Sequence, residues 1–191
     1  MKRLAISLVL VFVAGTWLAC SEDPEITPPP AIDALMLKSG AVAGWDVDDT
    51  ICAKTPCGTG VEVAKSNAEA EALVNGDATP FEALGFDAFA IEYYKKGAVG
   101  AEARIWQMKA GTATGKAIYD YLVLNTSTYK TVTWTDLALG GEAGRIADTG
   151  TTLKTNAAKG VYFVEFVVRA TDASARTDVE ALAKAMVAKL P

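Results

Sequence analysis

Hydrophobic positions run almost unbroken through 161–169, Val-Tyr-Phe-Val-Glu-Phe-Val-Val-Arg, where Glu165 is the main interruption. Such a run predicts a central β-strand covered on at least one face. Upstream, 86–94 and 101–108 read as two strands joined by a turn over 95–100. Phe89, Ile91 and Tyr93 share one face of the first, and Ala103, Ile105 and Gln107 one face of the second. Shorter extended pieces are predicted over 45–53, 61–64 and 131–139. Gly140, Gly141 and Gly144 mark a loop, and 145–153 adds one or two edge strands.

Helical periodicity appears between these stretches. Val179, Leu182, Ala183, Met186 and Leu190 form one apolar stripe that opens on a capping box of Thr177 and Glu180. Ala117, Ile118, Tyr121 and Leu122 share one side of a helix over 114–124. Asn67 is the expected cap of a helix over 68–74, with Gly76 just past its end. Thr79-Pro80-Phe81-Glu82 starts a short helix that Gly85 stops, and Ala34, Leu35 and Leu37 suggest another that ends at Gly40 or Gly44. Strands outnumber helices and mostly follow one another as hairpins. The fold class is therefore α+β, a mainly antiparallel β-sheet with helices packed on one side.

The first twenty residues follow a different pattern. Lys2 and Arg3 precede an apolar run that reaches Ala19 and ends at Cys20. A membrane-spanning helix needs about 20 apolar residues, and this run is shorter and is interrupted by Gly15 and Thr16. The stretch reads as a secretory signal. Trp17-Leu18-Ala19-Cys20 resembles the end of a bacterial lipoprotein signal, with Trp17 standing where that pattern usually has Leu. The resemblance implies a signal peptide over 1–19 and lipidation (palmitate-type acyl chains) at Cys20, which becomes the first mature residue. Ser21 after the cysteine resembles an outer-membrane destination. Residues 20–31, Cys-Ser-Glu-Asp-Pro-Glu-Ile-Thr-Pro-Pro-Pro-Ala, form an acidic, proline-rich tether. In polyproline II geometry it would hold the domain about 30 Å off the membrane. A single domain is then expected over 32–191.

Removing 1–19 leaves 172 residues and moves the formal charge from −5 to −7, because Lys2 and Arg3 leave with the signal. An acidic chain without a Lys/Arg cluster repels nucleic acid, which is not an expected partner. The chain contains no histidine. Ser-His-Asp and Cys-His catalysis, the usual zinc sites and His-ligated haem are excluded together. There is no G-x-S-x-G elbow, and Gly111-Thr-Ala-Thr-Gly115-Lys116-Ala117 misses the phosphate-loop spacing and its Ser/Thr. No cofactor is expected.

Some chemistry remains open. Asp46, Asp48 and Asp49 could contribute to a loose calcium site, although Ile51 and Cys57 fall where an EF-hand requires Gly and Glu. Glu92 and Glu165 each interrupt an apolar strand, and paired carboxylates can hydrolyse glycosides without histidine. The competing reading gives Glu165 an ion-pair partner such as Arg104 or Arg169. Cys52 and Cys57 are spaced for a short-loop disulfide in an exported protein, worth about 2 kcal/mol. A redox-active pair is the alternative use.

Leu73-Val-Asn-Gly-Asp-Ala, Leu84-Gly-Phe86, Ile105-Trp-Gln-Met108, Ala117-Ile-Tyr119 and the Gly-Val-Tyr-Phe strand resemble an uncharacterised family of exported bacterial domains. That resemblance covers most of 32–190 and implies no activity or site residues. The resulting expectation is a lipid-anchored envelope protein at the outer membrane, facing the periplasm or the cell surface. Its domain would be a non-enzymatic binding or accessory module for an envelope protein, a glycan or a small ligand. A histidine-independent hydrolase using Glu92 and Glu165 is the alternative.

Overall fold

A computed structural model describes residues 30–52, 60–74, 78–111, 114–125 and 131–191. The signal, Cys20, nearly all of the tether, Gly76 and Cys57 lie outside them. Eight antiparallel strands form one sheet: β1 (Asp46–Val47), β2 (Glu62–Ala64), β3 (Phe86–Lys96), β4 (Val99–Met108), β5 (Trp134–Asp136), β6 (Ala143–Asp148), β7 (Leu153–Lys159) and β8 (Tyr162–Val168). The order is β1-β3-β4-β8-β7-β6-β5, and β2 also pairs with β3. The described helices are α1 (Asn67–Val74), α2 (Thr79–Ala83), α3 (Gly115–Asn125) and α4 (Ala173–Lys189), preceded by a 3-10 turn over Ile32–Leu35. The α+β class dominated by an antiparallel sheet is therefore observed.

Alternation along the strands gives two apolar faces. On one face lie Ala90, Tyr94, Ala103, Ile105, Val164, Phe166 and Val168, and the stripe of Val179, Leu182, Ala183 and Met186 from α4 covers them. On the other lie Phe89, Ile91, Trp106 and Phe163, covered by Ala70 and Leu73 of α1, Phe81 of α2, and Ile118 and Leu122 of α3. The helices thus divide between both faces instead of gathering on one. Because β3, β4 and β8 carry apolar residues at both parities, each face has to be buried.

The strand over 161–169 is central, between β4 and β7. The β3–β4 hairpin is tighter than expected, with Gly97 at φ 60° in a two-residue turn between Lys96 and Val99. The expected edge strands over 145–153 are corrected. β6 and β7 both lie inside the sheet, and β5 is the edge. The expected strand over 45–53 shrinks to the two residues of β1.

Helix starts are corrected by single residues. Ser66, not Asn67, caps α1: its Oγ accepts from the Glu69 amide at 3.4 Å, and the Glu69 carboxylate accepts from the Ser66 amide at 3.2 Å. α2 has Ala78 at its cap position, with Pro80 supplying the preset first turn. α4 starts a turn earlier than its sequence signature, capped by Asp172, which accepts from the amides of Ser174 and Ala175 at 2.8 and 2.9 Å.

Candidate functional site

The two carboxylates singled out from the sequence stand on opposite faces of the sheet. Glu165 lies in a row of Cα partners that crosses six strands: Ile91, Arg104, Glu165, Asn156, Arg145 and Asp136. Arg104 Nη1 lies 4.0 Å from Glu165 Oε2, and the Trp106 indole N–H donates to the same oxygen at 3.4 Å. Arg104 Nε also donates to Glu102. Further along, the Arg145 guanidinium lies between the rings of Tyr119 and Trp134, at 4.5 and 4.2 Å from their centroids. With its amide oriented to satisfy both neighbours, Asn156 accepts from Arg145 Nη2 at 3.2 Å. Glu165 therefore has its ion-pair partner in Arg104, and the row is a braced polar seam within the sheet.

Glu92 pairs with Ala103, which in turn pairs with Phe166, so its side chain belongs to the α4 face. Carboxylates on opposite faces cannot flank one glycosidic bond. Glu92 and Glu165 do not form the two-carboxylate arrangement that the sequence offered.

What surrounds Glu92 is a pocket of about 340 Å³ under the 3-10 turn. Its walls come from Ala34, Met36, Leu37, Val47 and Val61, with Asp33, Lys38 and Ser39 around them and Glu92 as the inner carboxyl. Glu92 is 6% exposed. The Tyr94 hydroxyl donates to Glu92 Oε2 at 2.6 Å, accepts from the Leu37 amide at 3.1 Å, and lies 3.1 Å from the Leu37 carbonyl. Among the described residues no donor reaches Oε1, and Glu92 lines the pocket. Lys189, at the end of α4, donates to the carbonyl of Met36, one of the wall residues.

The electrostatics follow from burial. Desolvation pushes the Glu92 carboxyl up from its usual range, and the Asp49 charge adds to this; the Tyr94 hydrogen bond and the Lys189 charge oppose it. Burial, then the Glu92 charge, pushes the Tyr94 hydroxyl up. Burial, then the Lys38 charge, lowers the Lys189 ammonium. One hydroxyl hydrogen on Tyr94 cannot serve both Glu92 and the Leu37 carbonyl. An ionised Glu92 takes it; a protonated Glu92 can donate to Tyr94 and release it to Leu37.

This has a measurable consequence. A carboxyl whose folded-state pKa is raised makes the unfolded chain bind fewer protons than the folded chain between the two values. Stability is then expected to fall as pH rises from about 4.5 through the raised value. Glu92→Gln is expected to remove that decline, checked by urea unfolding midpoints across the interval. A decline of equal size in the variant would assign it to another group.

The other expected site residues are dispersed. Asp48 accepts from the Thr50 hydroxyl at 2.6 Å, the Thr50 amide at 3.2 Å and Lys95 Nζ at 3.0 Å. Those hydrogen bonds, Thr50 first, hold its carboxyl below the usual range. Asp46 and Asp49 are exposed, and among the described residues no group of three or more metal-ligating side chains gathers. Cys52 is described but Cys57 is not, so the expected disulfide falls partly outside the described residues. Lys189 was not singled out for the site by sequence, and the pairing of Tyr94 with Glu92 was not read from it. For Tyr94 a signal existed, since Glu92-x-Tyr94 places both groups on one strand face.

Comparison with protein-family models and with curated proteins finds no match to this chain.

Proposed function

We propose that this chain is an exported, lipid-anchored envelope protein whose domain binds a small ligand in the pocket under the 3-10 turn. The observation that carries the binding half is a nearly buried carboxyl that lines an otherwise mainly apolar cavity and has one oxygen that no donor reaches among the described residues. A concave apolar pocket of this size, with a few placed polar groups and a perturbed carboxyl, is the usual form of a small-molecule site. The anchoring half rests on the signal-like 1–19, on Cys20 and on the proline-rich tether that follows it. The first wall of the pocket, the 3-10 turn at Ile32–Leu35, follows that tether directly.

Anchoring is tested by mass spectrometry of the chain recovered from a diderm bacterium. The expected result is a mature N-terminus at Cys20 carrying acyl chains, with the protein in the membrane fraction. One chain gives only marginal membrane binding, so stable retention requires the multiple acylation of a lipoprotein. An intact leader with an unmodified Cys20 thiol would remove the anchoring half. Binding is tested separately, by native mass spectrometry of the same preparation. A co-purifying small molecule that is lost when Val47→Trp fills the pocket is expected, and an identical spectrum for both proteins would count against the site.

A further inference from the structure

Resting on that binding reading, we infer that the pocket takes a small organic ammonium ion with a short apolar body, with Glu92 as its counter-ion. The walls supply the apolar half of this recognition, through Ala34, Met36, Leu37, Val47 and Val61. Glu92 supplies the polar half. Its Oε2 is fixed by Tyr94, which in turn is fixed by the Leu37 amide, so Oε1 is held in place before any ligand arrives. That oxygen can accept from an N–H donor entering the cavity, and a charged donor makes the stronger hydrogen bond.

The surrounding charges favour a cation. Asp33 and Lys38 line the pocket with opposite charges, and Asp49 and Lys189 act on Glu92 with opposite signs, so the Glu92 charge is left over when all are ionised. The nearby ammonium groups are not placed to serve Oε1. Lys189 donates to the Met36 carbonyl, and Lys95 donates to Asp48. Lys38 lines the pocket but is exposed, and the charges acting on Glu92 are those of Asp49 and Lys189. A carboxylate ligand would meet Glu92 with like charge. A neutral alcohol would donate to the same oxygen without bringing a compensating positive charge.

The test uses the full chain as recovered from membranes, in nanodiscs of neutral lipid, titrated with n-butylammonium, 1-butanol and butyrate. Amide shifts of Leu37, Val47 and Val61 report pocket occupancy. Butylammonium is expected to bind about 10- to 100-fold tighter than butanol near neutral pH, because it adds an ion pair to a hydrogen bond that both probes make. Butyrate is expected to bind weakest. The ammonium ion keeps its charge up to about pH 10, so its affinity should fall as pH is lowered through the Glu92 titration. Asp33 and Lys38 also line this pocket, Tyr94 donates to Glu92, and the charges of Asp49 and Lys189 act on it. Glu92→Gln therefore isolates the effect, and is expected to abolish both the amine preference and the pH response. The wild-type pH series stands independently if that variant fails to fold. Equal binding of butanol and butylammonium at the three reporters would overturn the amine assignment and leave the pocket. Preference for butyrate would reverse it. No shift with any probe would overturn the pocket reading and the inference with it.

Discussion

Gly115→Ala is expected to cost about 3 kcal/mol or more, because overpacking against backbone cannot relax by rotating a side chain. A β-carbon built at Gly115 would stand 1.7 Å from the Tyr162 carbonyl oxygen, 2.2 Å from its carbon and 2.9 Å from the Phe163 nitrogen. Tyr162 and Phe163 belong to β8, which is paired with β4 on one side and β7 on the other. The strand is therefore held from both sides and cannot withdraw. α3 would have to lift, breaking the Gly115 amide's hydrogen bond to the Gly160 carbonyl at 2.8 Å and unseating Ile118 and Leu122 from their apolar cluster. Against a typical domain stability of about 5–15 kcal/mol, that is a large share. Urea unfolding measures it. Gly100→Ala is the matched control, because its β-carbon would meet nothing within 4 Å, and a change within about 0.5 kcal/mol is expected. Equal midpoints for the two variants would mean that α3 does not sit on β8 as described.

The parts of this molecule legible in sequence are those where local chemistry and tertiary role agree. β8 was readable because Tyr162, Phe163, Val164, Phe166 and Val168 are strand formers and are also buried in the middle of the sheet. β7 was not. Leu-Lys-Thr-Asn-Ala-Ala-Lys is weak strand sequence, and β6 and β8 make it a strand by pairing with it on both edges. Its small residues suit the place, because helices approach it from both faces and Thr155, Asn156, Ala157 and Ala158 are all buried. Helix caps were missed by a residue or a turn because Ser66 and Asp172 compete with equally plausible caps beside them.

The candidate site was half legible. Glu92 stood out as a carboxylate in an apolar strand, and so did Glu165, but which face each occupies depends on register through β4. Only the pairings Glu92 with Ala103 and Ala103 with Phe166 separate them. The roof of the pocket is further from local sequence still. Leu37 and Tyr94 are 57 positions apart, and Lys189 reaches Met36 across 153. No periodicity within a strand or a helix encodes contacts of that range.

Trp106→Ala is expected to destabilise the domain by about 3–5 kcal/mol, the usual range for removing a fully buried large aromatic. Trp106 is 2% exposed and is the hub of its face. Phe81 stacks on it at 3.7 Å with a 12° interplanar angle, Phe89 tilts against it at 4.3 Å, and Phe86 meets its edge at 6.0 Å. α2 has five residues and buries Phe81 as its anchor, so its attachment to the sheet depends on that stack. Loss of α2 should therefore precede global unfolding in the variant, seen as early amide exchange confined to 79–83. Trp106→Phe keeps much of the apolar bulk but leaves a cavity where the larger indole stood and removes the N–H donated to Glu165, so a smaller loss of about 1–3 kcal/mol is expected. Because Trp106 and Glu92 face opposite sides of the sheet, Trp106→Phe should leave butylammonium affinity unchanged while it lowers the unfolding midpoint. A variant that lost both together would mean that the two faces are mechanically coupled through β3 and β4, and that the pocket is not an independent site.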